Sequence, residues 1–492
     1  MCYIACMKKM SIFVIVAFLI IVFAGVGVYF VLRKPASSQS GEQMLPPVAN
    51  EPVTGGTSAT AGSTKDSPFC IMDPPADQPN IGVRNWDYYK DLGIKWMELT
   101  AENERFGWQS IEKEKGKYDF SASDKDVCDF YSRGISAIYV TRPINSLYGT
   151  RWDEMSPDNN EYPAGHLSEW GNFIKTLVER YDGDGRDDGR CAEKIKIKYF
   201  QIAHELSPFG DDYWMSNPDK YAEVFATAYK NVKESCADCI LAMPADPLDI
   251  LNKEKSFVSE VLSALRGSGI KDIAFDYHYW GSYADRLEYI ERLKKIVSQY
   301  GFDQSKIKIL SNESGITAIG DNGETEQASG LVKSYVAGVT HGQTKQCWTR
   351  IYDYSGGAVL WENIGLVKNP LGGGKEYKKL AYYAYKKLIE KLDGSDWNNI
   401  RIIQEKNGVY AYEFTRQGKP IWVVWNDSGT ENQITISNIT SSQVTITTAV
   451  PKYESGKDIS DYGTAFNVET KSVSGGKLTI TLSGKPVFVE EK

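Results

Sequence analysis

Two glutamates stand where glutamate is least expected. Glu205 ends the apolar run YFQIAHE, and Glu313 ends KIKILSNE. An acid is rarely buried unless it has a partner or a task. In an extended chain alternate residues share a face. That parity sets Glu205 with Ala203 and Gln201, and Glu313 with Ser311, Ile309 and Ile307. Paired carboxylates suit the hydrolysis of a glycosidic bond. One protonates the departing oxygen and the other attacks the sugar carbon; in retaining enzymes they stand about 5–5.5 Å apart. The acid member needs a raised pKa, which burial and a neighbouring negative charge supply. A salt bridge at a strand end would explain one such glutamate; two on matching parity ask for more.

The elements that must carry these acids alternate between strand-like and helix-like patterns. Strands are expected at 69–72, 94–99, 137–141, 195–205, 240–244, 273–279, 307–313 and 346–353. Between them WGNFIKTLVERY, KYAEVFATAYKNVKE, RLEYIERLKKIVSQY and LVKSYVAGV space apolar residues three and four apart, and YKKLAYYAYKKLIEKL closes the series. Eight strands, each followed by a helix, fit an α/β fold of the (β/α)8 barrel type over residues 67–392. Barrel active sites form at the carboxyl ends of the strands, where strands four and seven face each other across the mouth. From 393 to 492 the pattern changes to short alternating strands: VYAYEF, PIWVVWN, NQITISNI, QVTITTAV and KLTITLSGKPVFVE. These predict a small all-β sandwich.

Several segments together resemble the clan A glycoside hydrolases, retaining barrels with acids on strands four and seven. WMELTAENERFGWQSIEKEKGKYDFSASDKDVCDF is similar to the stretch after strand two in families 39 and 42. RYDGDGRDDG followed by IKYFQIAHE resembles the approach to the acid/base strand. WTRIYDYSG, NIGLV and KKLAYYAYKKLIEKL resemble the last strand, its loop and the closing helix. Family 5 shares the architecture. The resemblance covers most of residues 67–492. It implies that Glu205 is the general acid/base and Glu313 the nucleophile. It implies further that Trp348 lies under the sugar ring and that His278, in FDYHYWGSY, lies near the nucleophile. One position departs from the pattern. The clan usually has Asn before the acid/base, binding the sugar 2-hydroxyl; here it is His204, as in family 26, and an imidazole can donate to a hydroxyl.

The loop RPINSLYGTRWDEMSPDNNEYPAGH after strand three is long enough to wall a cleft. Arg142 and Asn145 begin it and are candidate sugar ligands. Trp152, Trp214, Trp280 and Trp361 fall in expected loops, where stacking on sugars or filling gaps would both account for them. The run DGDGRDDG at 182–189 hints at a structural calcium loop without the full twelve-residue pattern. No organic cofactor is implied. Six cysteines lie in the expected folded part: Cys70, Cys128, Cys191, Cys236, Cys239 and Cys347. A disulfide involving Cys191, Cys236 or Cys239 is one reading; a metal site and free thiols are the others.

The net charge of -8, without a basic patch or tail, argues against nucleic acid as partner. Aromatic residues make up 12% of the chain, a content suited to stacking on sugar rings as well as to a core. The uncharged run SIFVIVAFLIIVFAGVGVYFVL at 11–32 predicts a transmembrane anchor behind a short tail, 1–10. Residues 33–66, rich in Ser, Thr, Gly and Pro, predict a flexible stalk. The expectation is a single-pass membrane protein with its barrel on the extracytoplasmic side, acting on carbohydrate. A non-catalytic carbohydrate-binding barrel is the alternative, and an adhesin working through the β-sandwich is a third reading.

Overall fold

The computed structural model describes residues 67–72, 83–99, 105–151, 160–189, 191, 194–205, 213–252, 255–354, 361–372, 374–453 and 458–492. The expected membrane span at 11–32, the tail before it and the stalk lie outside them. Among the described residues no helix is long and apolar enough to cross a membrane.

Eight parallel strands close into a barrel: β1 (Phe69–Met72), β2 (Trp96–Leu99), β3 (Ser136–Thr141), β4 (Tyr199–Ile202), β5 (Ile240–Pro244), β6 (Ile273–Tyr279), β7 (Lys308–Ser314) and β8 (Gln343–Thr349). A helix follows each strand in turn: α1 (Trp86–Leu92), α2 (Ser121–Ser132), α3 (Leu167–Tyr181), α4 (Pro218–Ser235), α5 (Phe257–Ala264), α6 (Tyr283–Gln299), α7 (Gly323–Thr340) and α8 (Leu380–Leu392). Local signals set the helix ends. The Ser282 side chain accepts from the Asp285 amide at the start of α6, and Gly93 closes α1 in the left-handed conformation with φ 81°.

The strands are buried on both faces, as parallel strands must be. Their alternate residues fall into two apolar clusters. Cys70, Met72, Trp96, Ile138, Tyr199, Ala242, Ala274, Leu310 and Cys347 fill the barrel. Phe69, Met97, Tyr139, Phe200, Leu241, Phe275 and Ile309 pack outward with helix residues such as Trp170, Phe173 and Leu177 of α3.

This partition corrects the expected parity of strand seven. Leu310, not Ile309 or Ile307, points into the barrel, so Glu313 belongs by simple alternation to the outer face. A register shift brings it back: Leu310 pairs with Asp276, but Glu313 pairs with His278, so β7 carries one residue more than β6 over this stretch. The same extra residue appears against β8, where Ser311 pairs with Gln346 and Ser314 with Trp348. Such a bulge re-aims a side chain beside an active site.

Residues 401–491 form antiparallel strands β9 (Arg401–Lys406), β10 (Val409–Arg416), β11 (Lys419–Asn426), β12 (Asn432–Ser437), β13 (Gln443–Thr448), β14 (Val468–Ser472), β15 (Lys477–Leu482) and β16 (Val487–Glu491). Six build one sheet in the order β9-β10-β11-β16-β13-β14, and β12 pairs with β15. Ala411, Trp422 and Val424 on one face meet Ile434, Ile436 and Ile480 of the β12–β15 pair, the sandwich expected. Tyr412, Phe414, Val423 and Trp425 on the other face join the barrel's outer core. Lys333 of α7 bridges to Asp427 at 2.6 Å across this junction.

Candidate active site

Strand β4 ends earlier than its apolar run. It stops at Ile202, and Ala203 takes φ 68°, a left-handed conformation that costs a non-glycine residue about 1–3 kcal/mol. That turn ends the alternation of the strand. His204 and Glu205 follow it and both reach the barrel mouth, on the sides of two different partners.

Gln201 holds the turn. Its buried amide donates to Asp276 Oδ2 at 2.8 Å and to the Ala203 carbonyl at 3.1 Å, and lies 3.4 Å from the His204 carbonyl. Its own oxygen accepts from Asn312 Nδ2 at 2.8 Å. Asp276 Oδ1 accepts from the Asn312 amide at 2.8 Å, inside the bulge of β7. One hydrogen-bonded set therefore fixes the segments carrying both glutamates.

His204 Nε2 lies 3.1 Å from Glu98 Oε1 and 3.3 Å from Glu313 Oε1. All three groups are buried. His278, one strand over, lies with Nδ1 2.8 Å from Glu205 Oε1 and Nε2 3.2 Å from Asp276 Oδ2. The two imidazoles are 4.8 Å apart between ring centres. The mouth thus holds four carboxylates around two histidines.

Burial pushes the Glu98 carboxyl up to about 7, with His204 pulling it the other way. Burial disfavours a charge on His278, but Glu313, Asp276 and Glu205 outweigh it and hold the imidazole well above its ordinary range. A carboxyl oxygen lies at each of its ring nitrogens.

The glutamates differ in exposure. The Glu205 side chain is 38% exposed and that of Glu313 7%. Glu205 and both histidine segments border a cavity of about 360 Å³ with Asp246, Asp276, Tyr279 and Trp280. The Trp280 ring stands 6.0 Å from that of His278. His204, Glu205, His278, Glu313 and Trp280 lie together at the mouth, and Arg142 follows directly on the end of β3.

Other expected positions are placed differently. Trp348 has no exposed surface; its indole donates to the Ile364 carbonyl at 3.1 Å, and it packs in the outer core, so it offers no face to a sugar. Asn145 is fully buried. It donates to the Glu112 carbonyl at 2.9 Å and caps the turn at Ser146–Tyr148 by accepting from the Leu147 amide, a structural post. Trp214 is buried, its indole on Glu161 at 2.6 Å. Trp152 and the Trp361 side chain lie outside the described residues. The cysteines pair as Cys70–Cys347, Cys128–Cys191 and Cys236–Cys239. The expected bridge around Cys191, Cys236 and Cys239 is thus two bridges, and neither metal nor free thiol is needed to account for them.

Among the described residues four groups of side chains bring ligand-type atoms within 4.8 Å of one another: Cys236–Asp238–Cys239, whose sulfurs are paired in a disulfide, and Glu98–His204–Glu313, His204–Glu205–His278, and Glu179–Asp182–Asp184 in the expected calcium loop. The last lies before β4, away from the mouth.

Glu98, Gln201 and Asp276 were not singled out by sequence reasoning. Each is a polar residue on the inward parity of a barrel strand, sharing its face with Trp96, Tyr199 and Ala274 respectively, and that was the available signal.

No protein-family model matches the chain, and no curated protein does. Solved structures do. A family 39 glycoside hydrolase from the gut symbiont Bacteroides cellulosilyticus WH2 is similar at 15% identity, TM-score 0.61, over 87% of this chain and 82% of that one. A family 51 α-L-arabinofuranosidase from Bifidobacterium longum matches at 12% identity, TM-score 0.56, over 90% and 99%. A GH30 endoxylanase from Clostridium papyrosolvens C71 matches at 12% identity, TM-score 0.53, over 86% and 96%. The shared fold covers the barrel and the β domain together.

Proposed function

We propose that this chain is a retaining glycoside hydrolase, with Glu205 as general acid/base and Glu313 as nucleophile. The observation that carries the reading is the placement of both glutamates at the mouth, one at the end of β4 and one in the bulge of β7, each against its own histidine. The fold shared with glycoside hydrolases supports it.

In the first step Glu313 attacks the anomeric carbon while Glu205 gives its proton to the departing glycosidic oxygen. In the second, Glu205 takes a proton from water, the water oxygen attacks the same carbon, and Glu313 leaves as a carboxylate. The exposures suit these roles. The deeper Glu313 meets the sugar ring, and the more open Glu205 meets the leaving group and then solvent. His278 sits beside Glu205, where the proton is exchanged, and Trp280 lines the same cavity.

Three disulfide pairs suit an oxidising compartment. They support placing the barrel outside the cell, held to a membrane by the run at 11–32. The test is release of sugar from a panel of glycans and aryl glycosides by the purified chain and its Glu205→Gln and Glu313→Gln variants. Binding without release would favour a non-catalytic carbohydrate-binding barrel.

A further inference from the structure

His204 Nε2 faces two carboxyl oxygens at once, Glu98 Oε1 at 3.1 Å and Glu313 Oε1 at 3.3 Å. An ionised carboxylate only accepts hydrogen bonds, and a neutral imidazole carries its hydrogen on one nitrogen alone. A bare Nε2 would set its lone pair against both oxygens. With both carboxyls ionised the hydrogen therefore sits on Nε2, and the tautomer of His204 is decided by what lies beyond the ring.

Glu313 cannot decide it throughout a double displacement. While the sugar is attached, Glu313 is an ester, a weaker acceptor than the carboxylate. Glu98 forms no bond to the sugar in either step. It is buried on β2, and the imidazole of His278 lies 4.8 Å from that of His204 between ring centres.

We propose that Glu98 is a positioning residue that keeps a hydrogen on His204 Nε2 through the whole catalytic cycle, so that a donor waits for the Glu313 carboxylate when the glycosyl ester breaks. The inference rests on the reading of Glu313 as nucleophile. In the step concerned the bond between Glu313 and the anomeric carbon breaks and its electron pair returns to the Glu313 oxygen. The oxygen of water bonds to that carbon, and the proton of water goes to Glu205. Nε2–H stabilises the charge that appears on Glu313. Glu98 itself exchanges nothing; it fixes which ring nitrogen holds the hydrogen. Hydrolysis of the ester should depend on Glu98 more than its formation does, because formation consumes the charge that Nε2–H stabilises.

Two readouts test this. The chain has four histidines, so the imidazole nitrogens can be assigned by ¹⁵N NMR. In the parent, His204 Nε2 should carry hydrogen at pH 8 to 8.5, above the value of about 7 to which burial raises the Glu98 carboxyl, and in Glu98→Leu the Nδ1–H tautomer should become populated. The second readout is reactivation of enzyme labelled with 2-deoxy-2-fluoro-β-D-xylosyl fluoride or its glucosyl counterpart, followed by intact mass. Glu98→Leu should slow reactivation by about 10-fold or more, the scale of one lost charge-assisted hydrogen bond. Its labelling rate should change less, and Glu98→Gln, whose amide oxygen can still accept, should recover part of the loss.

A bare Nε2 in the parent overturns the proposal even if Glu98→Leu does not fold. So do an unchanged tautomer and unchanged reactivation in a folded Glu98→Leu. If neither sugar labels the parent, the nucleophile reading fails for those sugars, while the spectrum still decides the tautomer.

Discussion

His278 Nδ1 lies 2.8 Å from Glu205 Oε1, and the opposite nitrogen of the same ring lies 3.2 Å from Asp276 Oδ2. The candidate acid/base is thus tied through one imidazole to a carboxyl group on β6. His278→Ala would leave Glu205 without the group that sets its orientation and proton affinity. The expected result is a loss of about 10²-fold on substrates with poor leaving groups, the scale of general acid catalysis. Substrates whose leaving group needs no proton should lose far less. Equal losses on both kinds of substrate would remove His278 from proton transfer.

Gln201 offers a stability test. Its side chain serves Asp276, the Ala203 carbonyl and Asn312 in a buried site. Gln201→Leu has similar volume but strands those groups, so denaturant unfolding should show a loss of about 2–4 kcal/mol, given about 1–3 kcal/mol for each buried group left unsatisfied. Turnover should fall as well, because the left-handed turn at Ala203 loses its brace. A midpoint within error of the parent would show that the turn is held otherwise.

Much of this arrangement was legible in the sequence, and its limits have physical causes. Strands at 69–72, 240–244 and 273–279 are where alternation and β-branched content put them. The expected fourth strand, 195–205, is only Tyr199–Ile202, because Ala203 adopts a conformation that no propensity assigns to alanine. Simple alternation along β7 gives Glu313 a parity that the bulge overrides, so the residue reaches the mouth by a register shift that alternation does not reveal. Trp348 and Asn145 fell on the right elements, but residue type alone does not tell a buried ring from a stacking platform. Glu98 is a single acid in WMEL and carries no spacing signal; its meaning comes from His204, distant in sequence and adjacent in space.

Glu98 also predicts a pH dependence of stability. Its carboxyl has an ordinary value of 4.5 and is raised by burial to about 7 in the folded chain. The folded state therefore binds this proton more tightly than the unfolded state. The contribution to stability is full below pH 4.5 and is lost as pH rises through 7. Glu98→Gln stays neutral, so its Tm relative to the parent should rise between pH 4.5 and 8. A gap between the two that does not change with pH would contradict the burial argument.

Cys70 and Cys347 join β1 to β8, the first and last strands of the barrel, across 277 residues of sequence. Replacing both with serine should cost about 2–5 kcal/mol, the usual range for a native disulfide. Thermal unfolding of the double variant checks this, and a Tm equal to that of the parent would show that strand pairing alone closes the barrel.

The central claim is that Glu313 and Glu205 divide a double displacement between them. The most direct measurement compares sugar release by the parent, Glu313→Gln and Glu205→Gln on one panel, with peptide mapping of the parent after labelling by a 2-deoxy-2-fluoro glycosyl fluoride. The account predicts release by the parent, its loss in Glu313→Gln, a fall of about 10²–10⁴-fold in Glu205→Gln, and the label on Glu313. Release that survives Glu313→Gln, or a label on another carboxylate, would contradict it.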